Sequence, residues 1–129
     1  MTGDDFRRAV EARDIEGMLA CLTDDVEFHS PVTYKPFHGK DAVRGLFTIL
    51  VEHVFEDFTY TDQLRGDAVE SLIFRARVGD RQVEGIDIMR FNAEGMCNDF
   101  TVIVRPMSGV TALAEAVGSR LAAFGVVPG

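Results

Sequence analysis

Positive charge is scarce. Thirteen Lys and Arg face twenty-one Asp and Glu across 129 residues, a net charge of −8, and the basic side chains form no stripe. Nucleic acid and anionic membrane surfaces are therefore poor partners. Long apolar runs are missing too: nothing approaches the ~20 consecutive apolar residues of a membrane span. The opening stretch MTGDDFRRAVEARD is charged where a secretory leader would be apolar. Cysteine is limited to Cys21 and Cys97, with neither metal-ligand spacing nor the pattern of a disulfide framework. These absences together lead us to expect a cytoplasmic protein with free thiols. No His/Cys/Glu group has ligand spacing, no glycine-rich phosphate loop follows a strand, and no nucleophile elbow is present, so neither metal nor cofactor is expected. Internal repeats and low-complexity segments are also lacking.

What is there suits one globular domain spanning residues 1–129. Hydrophobic residues make up 47% and charged ones 26%, enough for a core without staples. Asp4 or Asp5 can cap a first helix carrying Phe6, Ala9 and Val10 on one face. Asp14 opens a second with Ile15, Met18, Leu19 and Leu22. Val26 to Ser30 alternates as a strand that Pro31 stops, and Thr33 to Gly39 reads as a loop. A helix from about Lys40 to His53 follows, then strands over Phe58–Arg65 and Val69–Val78. A long hairpin spans Gln82–Arg105, and a last amphipathic helix Ser108–Phe124. Helices and strands are segregated, which predicts an α+β fold with the helices covering an antiparallel sheet.

The hairpin organises the rest. A four-residue turn, Asn92-Ala93-Glu94-Gly95, places Phe91 opposite Met96, Met89 opposite Asn98 and Asp87 opposite Phe100. Val83, Met89, Phe100, Val102 and Val104 then share an apolar face with Asp87 and Asn98. Cys97, Asp99, Thr101 and Ile103 fall on the other face with Ile86 and Ile88. The turn Gly79-Asp80 pairs Leu72 with Asp87, Phe74 with Gly85, Arg75 with Glu84 and Ile73 with Ile86, and the last two pairs are favourable cross-strand neighbours.

One acid among apolar side chains needs a reason, because an unpaired buried carboxylate is costly. Asp87 is either a carboxylic acid with a raised pKa that handles a ligand or proton, or a buried acid satisfied by a backbone or tyrosine partner. Ser30 shares its strand face with Phe28 and Val26; with no base in evidence, it reads as a structural or ligand-orienting hydroxyl. His29 points to the opposite face. Tyr34 and His38 sit on a loop of the kind that contacts ligands, Asn98 is a second polar contact beside Asp87, and Tyr60 can face either pocket or interface. Ile73, Ile86, Ile88, Thr101 and Ile103 form an apolar stripe on the outer sheet face. Such a stripe marks an interface, and a homodimer is expected through it.

Several short runs carry a resemblance: Asp14-Ile15-Glu16-Gly17-Met18, Leu22-Thr23-Asp24-Asp25-Val26, Ser30-Pro31, His38-Gly39-Lys40-Asp41-Ala42-Val43 and Ile86-Asp87-Ile88-Met89-Arg90-Phe91-Asn92. In this order they resemble the nuclear-transport-factor-2-like superfamily, with its ketosteroid isomerases and SnoaL-like cyclases. The resemblance implies a cone: a curved sheet wrapped around helices, enclosing an apolar pocket, commonly dimeric through the outer sheet face. The pocket would be lined by Phe6, Phe28, Ser30, Phe47, Leu72, Phe74, Asp87, Met89 and Phe100, with the last helix capping its mouth or packing on a partner. Of the isomerase groups, the base position before the proline is Ser30, the tyrosine position on the first helix is Phe6, and the strand acid is Asp87. Ketosteroid isomerisation itself is therefore not expected. The expected function is binding of a small hydrophobic molecule, with isomerisation, cyclisation or hydration by acid–base chemistry at Asp87; a ligand-carrier or dimerisation module is the alternative.

Overall fold

Thr2, rather than Asp4 or Asp5, starts the first helix. In the computed structural model, which describes residues 2–126, the Thr2 hydroxyl accepts from the Asp4 amide at 3.2 Å, and Asp5 returns a bond from the Thr2 amide at 2.8 Å. This reciprocal capping box satisfies amides that no helical carbonyl can reach. The buried Glu70 carboxylate accepts from the Gly3 amide at 3.0 Å, tying helix α1 (Gly3–Glu11) to strand β4 (Val69–Val78). That anchor aims Phe6 into the interior.

The other elements follow the predicted order with shifted ends. Helix α2 (Ile15–Leu19) is capped by Asp14 as expected. Strand β1 begins earlier than expected (Leu22–His29), and the loop contains a short strand β2 (Phe37–His38). The third helix divides: α3 (Lys40–Ile49) is α-helical, but Leu50–Val54 widens to a π-helical turn. Strand β3 (Glu56–Arg65) also starts early. After β4 come β5 (Arg81–Phe91) and β6 (Cys97–Arg105), then α4 (Met107–Gly118) and a 3-10 turn at Ala122–Phe124.

The six strands form one curved, open sheet in the order β2-β1-β6-β5-β4-β3, antiparallel except where β1 joins β6 in parallel. The β4–β5 register is the predicted one, including Leu72 with Asp87, Phe74 with Gly85 and Ile73 with Ile86. Gly85 has a packing reason: a Cβ there would clash with the Phe74 ring and stand 2.9 Å from the Ile103 carbonyl oxygen. Only glycine lets the ring lie flat on the strand.

The β5–β6 register differs by two residues. The Asn92 amide bonds the Met96 carbonyl at 2.8 Å, and the Asn92 side chain accepts from the Glu94 and Met96 amides at 3.0 Å each, so the turn closes one residue later than expected. A bulge between Arg90 and Phe91 adds the second slip. Asp87 therefore opposes Val102, and Phe100 opposes Met89. Because two slips restore the alternation, Asp99, Thr101 and Ile103 remain on the outer face. Only the bulge itself reverses: Cys97 is buried and Asn98 is exposed.

The core has two aromatic groups. Phe6, Phe28, Phe47 and Phe100 meet at centroid distances of 5.0–5.9 Å. Phe55, Phe58, Tyr60 and Phe74 form the other, with Phe58 stacked on Phe74 at 4.8 Å. The space between the groups is the site.

Candidate active site

A cavity of about 800 Å³ opens between the concave sheet face and the helices, walled by both aromatic groups. Its volume suits a small organic molecule, since such sites span roughly 300–1,000 Å³. Leu113, Ala114, Val117, Gly118 and Leu121 also line it. The last helix thus lines the cavity. Leu50, Val51 and His53 of the π-helical turn form part of the rim.

Asp87 lies in this wall, 7% exposed, and the Tyr60 hydroxyl donates to its Oδ2 at 2.7 Å. Tyr60 is likewise buried and lines the cavity, which settles its orientation. The phenol reaches from β3 across β4 to β5, held edge-on to Phe58 at 5.0 Å and overlaid by the Arg7 guanidinium at 5.6 Å. Burial pushes the Asp87 carboxyl up to about 7, although the Tyr60 hydrogen bond pulls the other way by favouring the ionised form. Burial first, then the nearby Asp87 charge, holds the Tyr60 hydroxyl well above its ordinary range. The pair therefore keeps its tyrosine proton while the acid changes charge near neutrality. Among the described residues only Tyr60 bonds Asp87 through its side chain, leaving Oδ1 for a guest.

The other expected pocket residues divide by position. Phe6, Phe28, Ser30, Phe47, Phe74 and Phe100 line the cavity with Asp87. Leu72 and Met89 are fully buried but lie outside its lining, packed into the core. Asn98 is not beside Asp87, because the bulge turns it to solvent. Tyr34 and His38 are exposed and outside the cavity lining, although Pro31, Val32, Thr33 and Phe37 of the same segment belong to it. Ser30 uses its hydroxyl locally, accepting from the Val32 and Thr33 amides at 3.3 and 3.0 Å. Cys21 and Cys97 are buried, and burial raises both thiols, Cys97 to about 12, so neither is a ready nucleophile.

The sequence allowed a tyrosine partner for Asp87 and left Tyr60 open between pocket and interface, without joining the two. Two register shifts in the β3–β4 ladder made the face of Tyr60 unreadable.

A model of the SnoaL-like domain matches residues 4–100. The chain belongs to the SnoaL-like family. This SnoaL-like protein is similar to a steroid delta-isomerase from Pseudomonas aeruginosa, with 42% identity over 94% of this chain and 89% of that one and a TM-score of 0.85. It is also similar to an uncharacterized bacterial protein with a cystatin-like fold from Silicibacter pomeroyi, at 29% identity over 92% and 84% of the two chains and a TM-score of 0.87. A SnoaL-like protein of unknown function from Burkholderia thailandensis, 14% identical over 81% and 92%, shares the fold with a TM-score of 0.67. No curated protein matches the chain. Among the described residues, no helix is long and apolar enough to cross a membrane.

Proposed function

We propose that this SnoaL-like protein binds a small hydrophobic molecule bearing a carbonyl, enol or epoxide group and converts it by proton transfer at Asp87. The observation that carries the reading is the 2.7 Å Tyr60–Asp87 bond, set among buried lining residues that are otherwise apolar. A carboxyl balanced near neutrality can donate to a ligand oxygen when protonated and take a proton from carbon when ionised, and a pKa near the operating pH is what general acid–base catalysis favours. Similarity to a steroid delta-isomerase supports a carbonyl compound as the ligand class. The isomerase reaction by its usual base is not what we propose. Position 30 is a serine whose hydroxyl is occupied by its own turn.

A ligand carrier is the second reading, favoured because the cavity's buried polar side chains reduce to this one pair among the described residues. Exchange of a ketone's α-hydrogens for deuterium separates the two. For the enzyme, a panel of apolar ketones includes at least one whose exchange the wild type accelerates and Asp87→Asn slows by about 100-fold or more. Tyr60→Phe should weaken binding of the same ketone about tenfold, the loss of one buried hydrogen-bonding partner. Binding without exchange leaves the carrier. No binding by any ketone, lactone, epoxide or fatty acid in the panel ends both readings.

We also propose that a second copy of the chain covers the outer sheet face. Ile103 is 53% exposed there, beside Ile86 and Ile88. Arg75–Glu84 and Arg105–Glu84 pairs at 3.3 Å give the face both signs of charge, which is compatible with a self-complementary two-fold contact. Sedimentation at micromolar concentration should give a dimer, and Ile103→Asp a monomer; a wild-type monomer rejects the interface.

A further inference from the structure

On the convex side of the sheet, away from the cavity, β1 and β6 bring together three metal-ligating side chains. Glu27 and Asp99 are direct partners in the parallel pair, and His29 follows two residues along on the same face, alternating with the buried Val26 and Phe28. His29 Nε2 lies 3.0 Å from Asp99 Oδ2 and 3.7 Å from Glu27 Oε2, and the three donor atoms all fall within 4.8 Å of one another. Ligands at tetrahedral zinc, each roughly 2.0–2.1 Å from the ion, stand about 3.3–3.4 Å apart. The two His29 separations, 3.0 Å (a hydrogen bond to Asp99) and 3.7 Å, bracket that spacing, and the Glu27–Asp99 separation is under 4.8 Å.

We propose that Glu27, His29 and Asp99 form a binding site for a divalent transition-metal ion of the zinc class. Further geometry supports it. The other Asp99 oxygen accepts from the Thr101 hydroxyl at 3.3 Å and lies 3.8 Å from an Arg90 nitrogen, which orients the carboxylate with Oδ2 toward His29. Outer-shell partners of this kind fix ligand orientation at metal sites. Arg90 also offsets one of the two carboxylate charges, so the site's net charge without metal is about −1 with neutral imidazole. A shallow depression of about 590 Å³, bordered by His29, Tyr34, Asp99 and Thr101, gives the fourth coordination position access to water or a small ligand. His38 is a further nitrogen close by, its Nδ1 3.7 Å from the second Glu27 oxygen. One imidazole nitrogen with carboxylate oxygens suits Zn²⁺ better than Mg²⁺, which prefers an all-oxygen shell and keeps its waters. The spacing carried no such signal because Asp99 lies 70 residues from His29 and meets it only through the β1–β6 pairing.

Zn²⁺ alone, titrated into chelator-treated full-length protein by calorimetry with a parallel thermal melt, tests the site. One ion per chain should bind and raise Tm. His29→Ala should raise the Kd about 100-fold or more and Thr101→Val about tenfold, while His53→Ala leaves the zinc Kd unchanged. Absence of zinc binding, equal stabilisation by Mg²⁺, or unchanged affinity in His29→Ala overturns the proposal. A second readout needs no variant to fold: with three histidines in the chain, substoichiometric Co²⁺ should broaden the His29 imidazole NMR signals before those of His53. Broadening of His53 first, or of both together, counts against the site.

Discussion

Asp87→Asn should stabilise the protein at pH 8 and leave it nearly unchanged at pH 4. The sign follows from proton linkage. Folding raises the Asp87 carboxyl from an ordinary 3.8 to about 7, so between those values the folded state holds a proton that the unfolded chain has released. Stability therefore falls as pH climbs through this window, and the penalty is complete above about 7. Three units at 1.36 kcal/mol each set an upper scale on the order of 4 kcal/mol. Asparagine carries no charge and removes that slope. Melts of both proteins from pH 4 to 8 should diverge steadily, with the wild-type curve falling relative to the variant. Tyr60→Phe moves the window in a known direction. Its hydroxyl favours the ionised acid, so losing it drives the Asp87 pKa higher and extends the decline to higher pH. Parallel melts for wild type and Asp87→Asn would mean that Asp87 titrates as a solvated carboxylate, and the proposed acid–base role would lose its physical basis.

The same residue shows how far the sequence could be read. Asp87 stood out because it interrupts an apolar face, and a burial signal of that kind survives errors of register. The expected β5–β6 pairing was two residues out, yet Asp87, Phe100 and Val102 all stayed on the inner face, since an even slip preserves strand alternation. Asn98 did not survive, because it sits in the bulge where alternation breaks. The Asn92 side chain that lengthens the turn, holding two amides at 3.0 Å, gives little warning in sequence: asparagine suits a four-residue turn equally well. Tyr60 was hidden because two register shifts interrupt the β3–β4 ladder. The Glu27–His29–Asp99 group was hidden because it depends on pairing between β1 and β6, far apart in the chain, where no local turn fixes the register. The cavity itself was expected from the resemblance and from the phenylalanines at inward positions; its walls are set by how α1, α3 and α4 lie on the sheet.

Phe100→Ala should be the most damaging single truncation in the wall of the cavity. Phe100 is 1% exposed and touches rings from three other elements: Phe6 of α1 at 5.0 Å, Phe28 of β1 at 5.6 Å and Phe47 of α3 at 5.8 Å. It projects from β6 between its partners on either side, so the backbone cannot collapse to fill the space. Buried Phe→Ala changes of this kind cost about 3–5 kcal/mol, which for a domain of this size lowers Tm by roughly 10 °C or more. Phe58→Ala offers the contrast. Phe58 is only half-buried on the opposite wall, where its main contact is stacking on Phe74 at 4.8 Å, and its removal should cost about half as much or less. Phe100 also bears on the acid. Its loss opens the wall beside Val102, the cross-strand partner of Asp87, and admits water to a carboxyl whose raised pKa comes from burial. The Asp87 pKa should fall back toward the ordinary carboxylate range, and the pH slope of stability should flatten in Phe100→Ala even as overall stability drops. A variant that melts early but keeps the full wild-type slope would show that the acid is shielded by the β3–β4 aromatics alone, with Phe100 confined to holding the helices on the sheet.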